Sequence, residues 1–234
     1  MLPGLLVVLL AACAPKVPDL PGPLDGIQPA VPSGATVRPV ARVASGDARQ
    51  RGRDVAAAAV SFLGAQRLRV DETGFRWDCS GLVEAAYAAA GIPLRGSGAQ
   101  MHAQARAAGV ARGRFRKPRP GDVVFWHDTH DRNGNGRRDD RFTHVGVVER
   151  SEHDGLTWIV HLGNHGVQRL RMDLLQRHVH ADGNGDVRND YLRVRTAKDR
   201  WRTRYLSGEL FAGWASLWAP EPPPPPALVG LSSK

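Results

Sequence analysis

The sequence predicts an α+β fold in which N-terminal helices pack on a central antiparallel β-meander. Between Arg53 and Ala108 apolar residues recur at helical spacing. Beyond Pro118, Pro120 and Gly121 the pattern changes to alternation and β-branched runs. Helices first and strands afterwards is the α+β order. The 234 residues are enough for one well-buried domain with tails, and no internal repeat divides them.

From Arg53 to Gly64, Val55, Ala59, Phe62 and Leu63 cluster on one side of a helix. A polar loop, Asp71 to Gly74, precedes the next helix, for which Asp78 is a good N-cap. There Leu82, Val83, Ala86, Tyr87 and Ala90 share one face, Gly91 stops the helix, and Pro93 follows. Ala99 to Ala108 forms a short helix. Strands are expected at Asp122–His127, Thr143–Arg150, Thr157–Leu162 and Val167–Arg171, with a last one at Leu210–Trp218.

Cys79 falls in the first turn of the Asp78-capped helix, where exposed amides favour a thiolate, the nucleophilic form of cysteine. A lone cysteine with a cap, a following Ser80-Gly81 and histidines downstream is a candidate nucleophile, and His144 within Thr143-His144-Val145-Gly146 is a candidate base. The other reading of Cys79 is a small buried hydrophobe.

Three blocks then carry a family resemblance: Arg76-Trp77-Asp78-Cys79-Ser80-Gly81-Leu82-Val83, Pro120-Gly121-Asp122-Val123-Val124-Phe125-Trp126, and His144-Val145-Gly146-Val147-Val148. In this order and spacing they resemble the NlpC/P60 family of papain-like cell-wall cysteine peptidases. The resemblance implies a papain-like fold, Cys79 as nucleophile, His144 as base, and a polar residue of the next strand as the group that orients it. His161 stands at that place, and His165, four residues on, competes if the strand register slips. No cofactor is implied for catalysis. The substrate implied is peptidoglycan, cut at the γ-D-glutamyl to diamino-acid bond of its stem peptide. The family commonly has a tyrosine about a dozen residues before the nucleophile. Here Arg67 takes that place, and it suits a carboxylate of the stem. Asp78 and Ser80, which flank the nucleophile, are the other expected substrate-binding residues. A related thiol amidase or acyltransferase, and a non-catalytic calcium-stabilised wall-binding lipoprotein, are the alternatives.

The N-terminal apolar run is too short to span a bilayer, and Leu10-Ala11-Ala12-Cys13 resembles a lipoprotein lipobox. The expected organisation is a signal peptide at 1–12, a Pro/Gly-rich linker at 13–46, the catalytic domain at 47–219 and a Pro-rich tail at 220–234. Cys13 would carry lipid, leaving Cys79 as a free thiol. Ala14 after it suggests, by the same resemblance, the outer membrane facing the periplasm, with the protein as a monomer. The net charge of +9, concentrated at Arg112–Arg119 and Arg193–Arg204, lacks a groove-reading motif. It suits an anionic envelope polymer or lipid surface rather than nucleic acid.

A second motif runs from Asp131 to Asp140. Asp131, Asn133 and Asn135 at positions 1, 3 and 5, Gly136 at the turn, Arg137 at position 7, and Asp139 and Asp140 at 9 and 10 resemble an EF-hand calcium loop. Phe142 replaces the bidentate glutamate at position 12. A structural Ca2+ beside the His144 strand is therefore expected, the alternative being a polar hairpin with Asn-Gly turns. Asp182–Asp190 repeats the alternation but has Val187 at the turn position, so it reads as a loop. His178 and His180 read as surface residues, and most of the six tryptophans as core.

Overall fold

The structure is a computed structural model that describes residues 48–219 except Arg138 and Lys198. The expected signal peptide, Cys13, the linker and the Pro-rich tail lie outside the described residues.

Helix α1 (Ala48–Ser61) is followed by a two-residue hairpin, β1 (Arg69–Val70) and β2 (Thr73–Gly74), where the sequence reads as loop. Strands this short carry no periodicity to detect. Helix α2 (Cys79–Ala89) begins where Asp78 Oδ1 accepts the Gly81 N–H at 2.7 Å. Gly91, with φ +77°, turns the chain after it. Helix α3 (Gly98–Ala107) opens with a capping box between Ser97 and Gln100.

After β3 (Ala111–Arg112), strands β4 (Val123–Trp126), β5 (His144–Ser151), β6 (Leu156–Gly163) and β7 (Gly166–Asp173) run as an antiparallel meander. A short helix α4 (Ser207–Leu210) leads into β8 (Phe211–Ala215), and the sheet order is β3-β8-β4-β5-β6-β7. The expected strand at Leu210–Trp218 is thus shorter. Its end leaves the sheet so that Trp218 enters the core, its Nε1–H donating to Asp122 at 3.2 Å. The result is an α+β layout, with the helices packed on an antiparallel sheet.

Alternation along the strands divides two cores. Val123, Phe125, Val145, Val147 and Val160 pack with Val55, Phe62, Leu82, Val83 and Tyr87 of the helices. Val124, Trp126, Val148, Ile159, Leu170 and Met172 face the other way and are closed over by Leu210, Trp214 and Leu192. Both sheet faces being covered explains why β4 reads as a continuous apolar run.

The Pro120-Gly121-Asp122 block is structural. Asp122 is fully buried and accepts from Arg119 N at 2.7 Å, Ser216 Oγ at 2.6 Å and Arg112. Tyr87 of α2 donates to Gly121 O at 2.9 Å. One carboxylate therefore ties β3, β4 and β8 together, and the tyrosine hangs α2 from the same turn. Gly81 has a similar duty, since a β-carbon there would lie 1.9 Å from Arg76 O. Only glycine lets the chain leading to Cys79 lie against the first turn of α2.

Candidate functional site

Cys79 is the first residue of α2, as the cap and spacing predicted. Its sulfur is largely buried, and burial pushes the thiol above its ordinary value of 9.0. The Val145 N–H and the Ser80 hydroxyl and N–H pull in the opposite direction, and the Asp78 charge adds to the rise. The expected thiolate-favouring first turn is thus corrected: desolvation of the sulfur outweighs the amides around it.

His144 opens β5, where its neighbours on β4 hold it in register opposite Trp126, with ring centroids 5.6 Å apart. The β5–β6 ladder runs from Ser151↔Thr157 to Val147↔Val160 and stops. The first residues of β5 are therefore paired to β4 alone, and the Val145 N–H in this stretch is one of the groups acting on the Cys79 sulfur. His144 Nε2 lies 2.9 Å from His161 Nδ1. The second ring nitrogen of His144, Nδ1, is left for other chemistry. Gly146 makes room for this pair, because a β-carbon there would meet Ile159 Cγ2 at 2.8 Å and His161 Cβ at 3.3 Å.

His161 is buried and His144 half-buried at the surface, with its ring desolvated by its neighbours. Burial holds His144 well below 6.5, with His161 and His130 as further positive neighbours. Burial lowers His161 to about 4, against a smaller opposing pull from Asp190. Both rings are neutral at physiological pH. No hydrogen bond joins Cys79 to either histidine, so at rest the site is a neutral thiol and a neutral imidazole pair, each with its own partners.

His165 is exposed in the turn between β6 and β7, and it is His161 that meets His144. Asp78 is occupied in capping α2, with Arg76 Nε 3.8 Å from its other oxygen. Ser80 is buried beside the sulfur. Arg67 is exposed on the loop before β1. Trp77, 45% exposed next to Asp78, is the exposed large apolar side chain nearest Cys79 along the described chain. Glu84 anchors this stretch by accepting from Arg76 at 3.2 Å, Arg95 at 3.3 Å and Gly96 N at 2.8 Å.

The 131–140 loop turns largely on itself. Asp131 Oδ2 accepts Gly136 N, Asn133 Oδ1 accepts Asn135 N, and Asn135 Oδ1 accepts Arg137 N. The amide nitrogens of Asn133 and Asn135 donate to Asp139, and Asp140 accepts Arg132 N. Asp131 Oδ1, by contrast, is buried with no hydrogen-bond partner. The donors are all oxygens, the chemistry that suits calcium. Among the described residues no group of three or more His, Cys, Asp or Glu is gathered to hold a metal. His178 pairs with Glu209, and His180 Nδ1 lies 2.8 Å from Asn189 O.

Not all the basic clusters are free surface. Arg112 is bound to Asp122, and buried Arg193 reaches Asp128 O and Asp199. Trp126, Trp214 and Trp218 are core, whereas Trp201 is 85% exposed. Sequence reasoning missed Gln168, 3.3 Å from His161 Nε2. Counting back across the tight 163–166 turn would have placed it opposite His161.

Cys79 and His144, both half-buried, and the buried His161 thus stand at the meeting of α2 with the sheet of an α+β scaffold. Residues 70–164 match the CHAP domain, a cysteine- and histidine-dependent amidase/peptidase family. No curated protein matches it. One solved structure, described as similar to lipoprotein, NLP/P60 family, from Staphylococcus aureus subsp. aureus Mu50, shares 21% identity at a TM-score of 0.35. The match covers 59% of this chain and 40% of that one, so the chain spans under half of its length. Among the described residues no helix is long and apolar enough to cross a membrane.

Burial of His161 makes stability depend on pH. An unfolded imidazole binds a proton near 6.5 and folded His161 only near 4, so between those values the unfolded chain holds more protons. Stability from this group is complete above 6.5 and falls as pH drops, by about 3 kcal/mol in all. Urea denaturation across that window should show the loss, and His161→Asn should reduce it, leaving the part contributed by His144, which is also held well below 6.5. An equal slope in parent and variant would show that His161 is not the titrating group.

Proposed function

We propose that the protein is a peptidoglycan hydrolase that cuts an amide bond in the stem peptide through Cys79. The observation that carries this is the meeting of the α2 N-terminus with the start of β5. There Cys79 lies beside the Val145 N–H, and the adjacent His144 is already hydrogen-bonded to His161.

With substrate bound, His144 Nδ1 takes the thiol proton as Cys79 Sγ adds to the amide carbonyl carbon. The Cys79 N–H, at the open end of α2, is the proposed donor to the oxyanion. As the intermediate collapses the C–N bond breaks, and His144 returns its proton to the leaving amine. Water, deprotonated by the same imidazole, then hydrolyses the thioester, releasing a carboxylate and restoring the thiol. His161 holds His144 by Nε2 throughout. Arg67 and Trp77 are the residues proposed to meet the stem and its glycan. Lipid on Cys13 and residence in the cell envelope belong to the same proposal.

Digestion of purified peptidoglycan with mass analysis of the fragments tests the reading. The parent protein should release fragments bearing a new amine and a new carboxylate, and their masses name the bond. Cys79→Ala should abolish release at an unchanged melting temperature. Undiminished release by that variant would refute the nucleophile.

For the 131–140 loop we propose a structural Ca2+ held among Asp131, Asn133, Asn135, the Arg137 carbonyl, Asp139 and Asp140, on the strength of the unpartnered Asp131 oxygen. Calcium should raise the melting temperature relative to EDTA, and Asp131→Ala should remove the rise. An identical melting temperature with and without calcium would end this proposal.

A further inference from the structure

Strands β6 and β7 reverse tightly at Asn164 and His165, and the ladder pairs Gly163 with Gly166 and His161 with Gln168. Gln168 Nε2 thereby lies 3.3 Å from His161 Nε2, the nitrogen that the contact with His144 leaves free. Gly163 keeps the space between them clear, since a β-carbon there would lie 3.0 Å from His161 Cε1 and 3.1 Å from Gln168 Nε2. His144, His161 and Gln168 form one unbroken chain of hydrogen-bonding groups.

A neutral imidazole carries a single N–H, so the two hydrogen bonds of His161 are not independent. When the Gln168 amide nitrogen donates to Nε2, the His161 proton must sit on Nδ1. His161 then donates to His144 Nε2, and the proton of His144 is forced onto its own Nδ1. In that state His144 cannot accept the proton of the Cys79 thiol. When the amide is turned to present Oε1, the order reverses. His161 Nε2–H donates to Gln168, His161 Nδ1 accepts from His144 Nε2–H, and His144 Nδ1 becomes a bare lone pair. Only the second arrangement is a base toward Cys79.

We propose that Gln168 is a positioning residue whose amide orientation selects the tautomer of both histidines, and so switches His144 between an inert and a base-competent form. Half a turn about the last side-chain bond of Gln168 exchanges the two states without moving the backbone. The burial of His161, 3% exposed, keeps bulk water from making the exchange for it. Both rings are neutral at working pH, the condition under which a tautomer exists to be selected. Other charges act on the pair without choosing the tautomer. Asp190, held by Arg171 at 2.8 Å, raises the affinity of His161 for a proton, and His130 lowers that of His144.

The inference rests on His144 being the base of the proposed hydrolase, and its test separates the two. Gln168→Glu presents only acceptor oxygens and fixes the base-competent tautomer. Gln168→Leu removes the partner altogether. Histidine-nitrogen NMR on the 15N-labelled domain, without substrate, should report His161 protonated at Nε2 in the Glu variant, and loss of a single defined tautomer in the Leu variant. On peptidoglycan the Leu variant should lose kcat on the order of tenfold to a hundredfold at unchanged KM, while the Glu variant keeps it. The acid limb of the Glu profile should move to higher pH, because the new carboxylate favours imidazolium. The same His161 tautomer in all three proteins would overturn the proposal, as would equal loss of kcat in both variants. If the parent has no activity on peptidoglycan, the hydrolase reading fails alone and the spectra still decide the role of Gln168.

Discussion

The hydrogen bond between His144 and the buried His161 is the constraint on which the site depends. A ring nitrogen in solution exchanges partners freely and titrates near its ordinary value. At the start of β5 and within β6, the two rings meet each other, Gln168 and Trp126. Burial disfavours the charged form, so both are bases held in their neutral state. The same effect holds the Cys79 sulfur as a thiol. In the proposed reaction, activation is therefore a proton transfer from thiol to imidazole rather than a standing ion pair.

The scaffold serves this arrangement through close backbone approaches and buried carboxylates. Gly146 removes the β-carbon that would displace His161, and Gly81 lets the chain before Cys79 lie against its own helix. Asp122 links β3, β4 and β8, while Tyr87 ties α2 to the same turn, so helix and sheet meet at a fixed angle. Glu84 fixes the approach to the nucleophile by gathering Arg76, Arg95 and the Gly96 amide. These residues touch no substrate in the proposed reaction. They set where the reacting groups stand.

Much of this was legible in the sequence because its signals are local. Asp78 as a cap, the apolar face of α2 and the alternation of β5 to β7 each follow from neighbours within a few residues. His161 was readable because its strand follows closely on that of His144. What sequence reasoning lost was set at a distance. The burial of the Cys79 sulfur is set by tertiary packing, and it pushes the thiol up where the helix end alone favours the thiolate. The role of Asp122 depends on Ser216 and Trp218, which the sequence assigned to a strand. Gln168 carried no motif, and only the register across the 163–166 turn exposes it. The placement of Trp201 on the surface and Trp214 in the core follows from tertiary packing, to which composition is blind.

The most direct test of burial as the controlling term is the pH dependence of Cys79 alkylation by iodoacetamide, in the parent domain and in His144→Ala. A neutral thiol beside neutral imidazoles should label with a midpoint above 9.0, and the substitution should leave that midpoint in place. A midpoint well below neutrality that vanishes with His144 would reveal a standing thiolate–imidazolium pair, and would contradict the account.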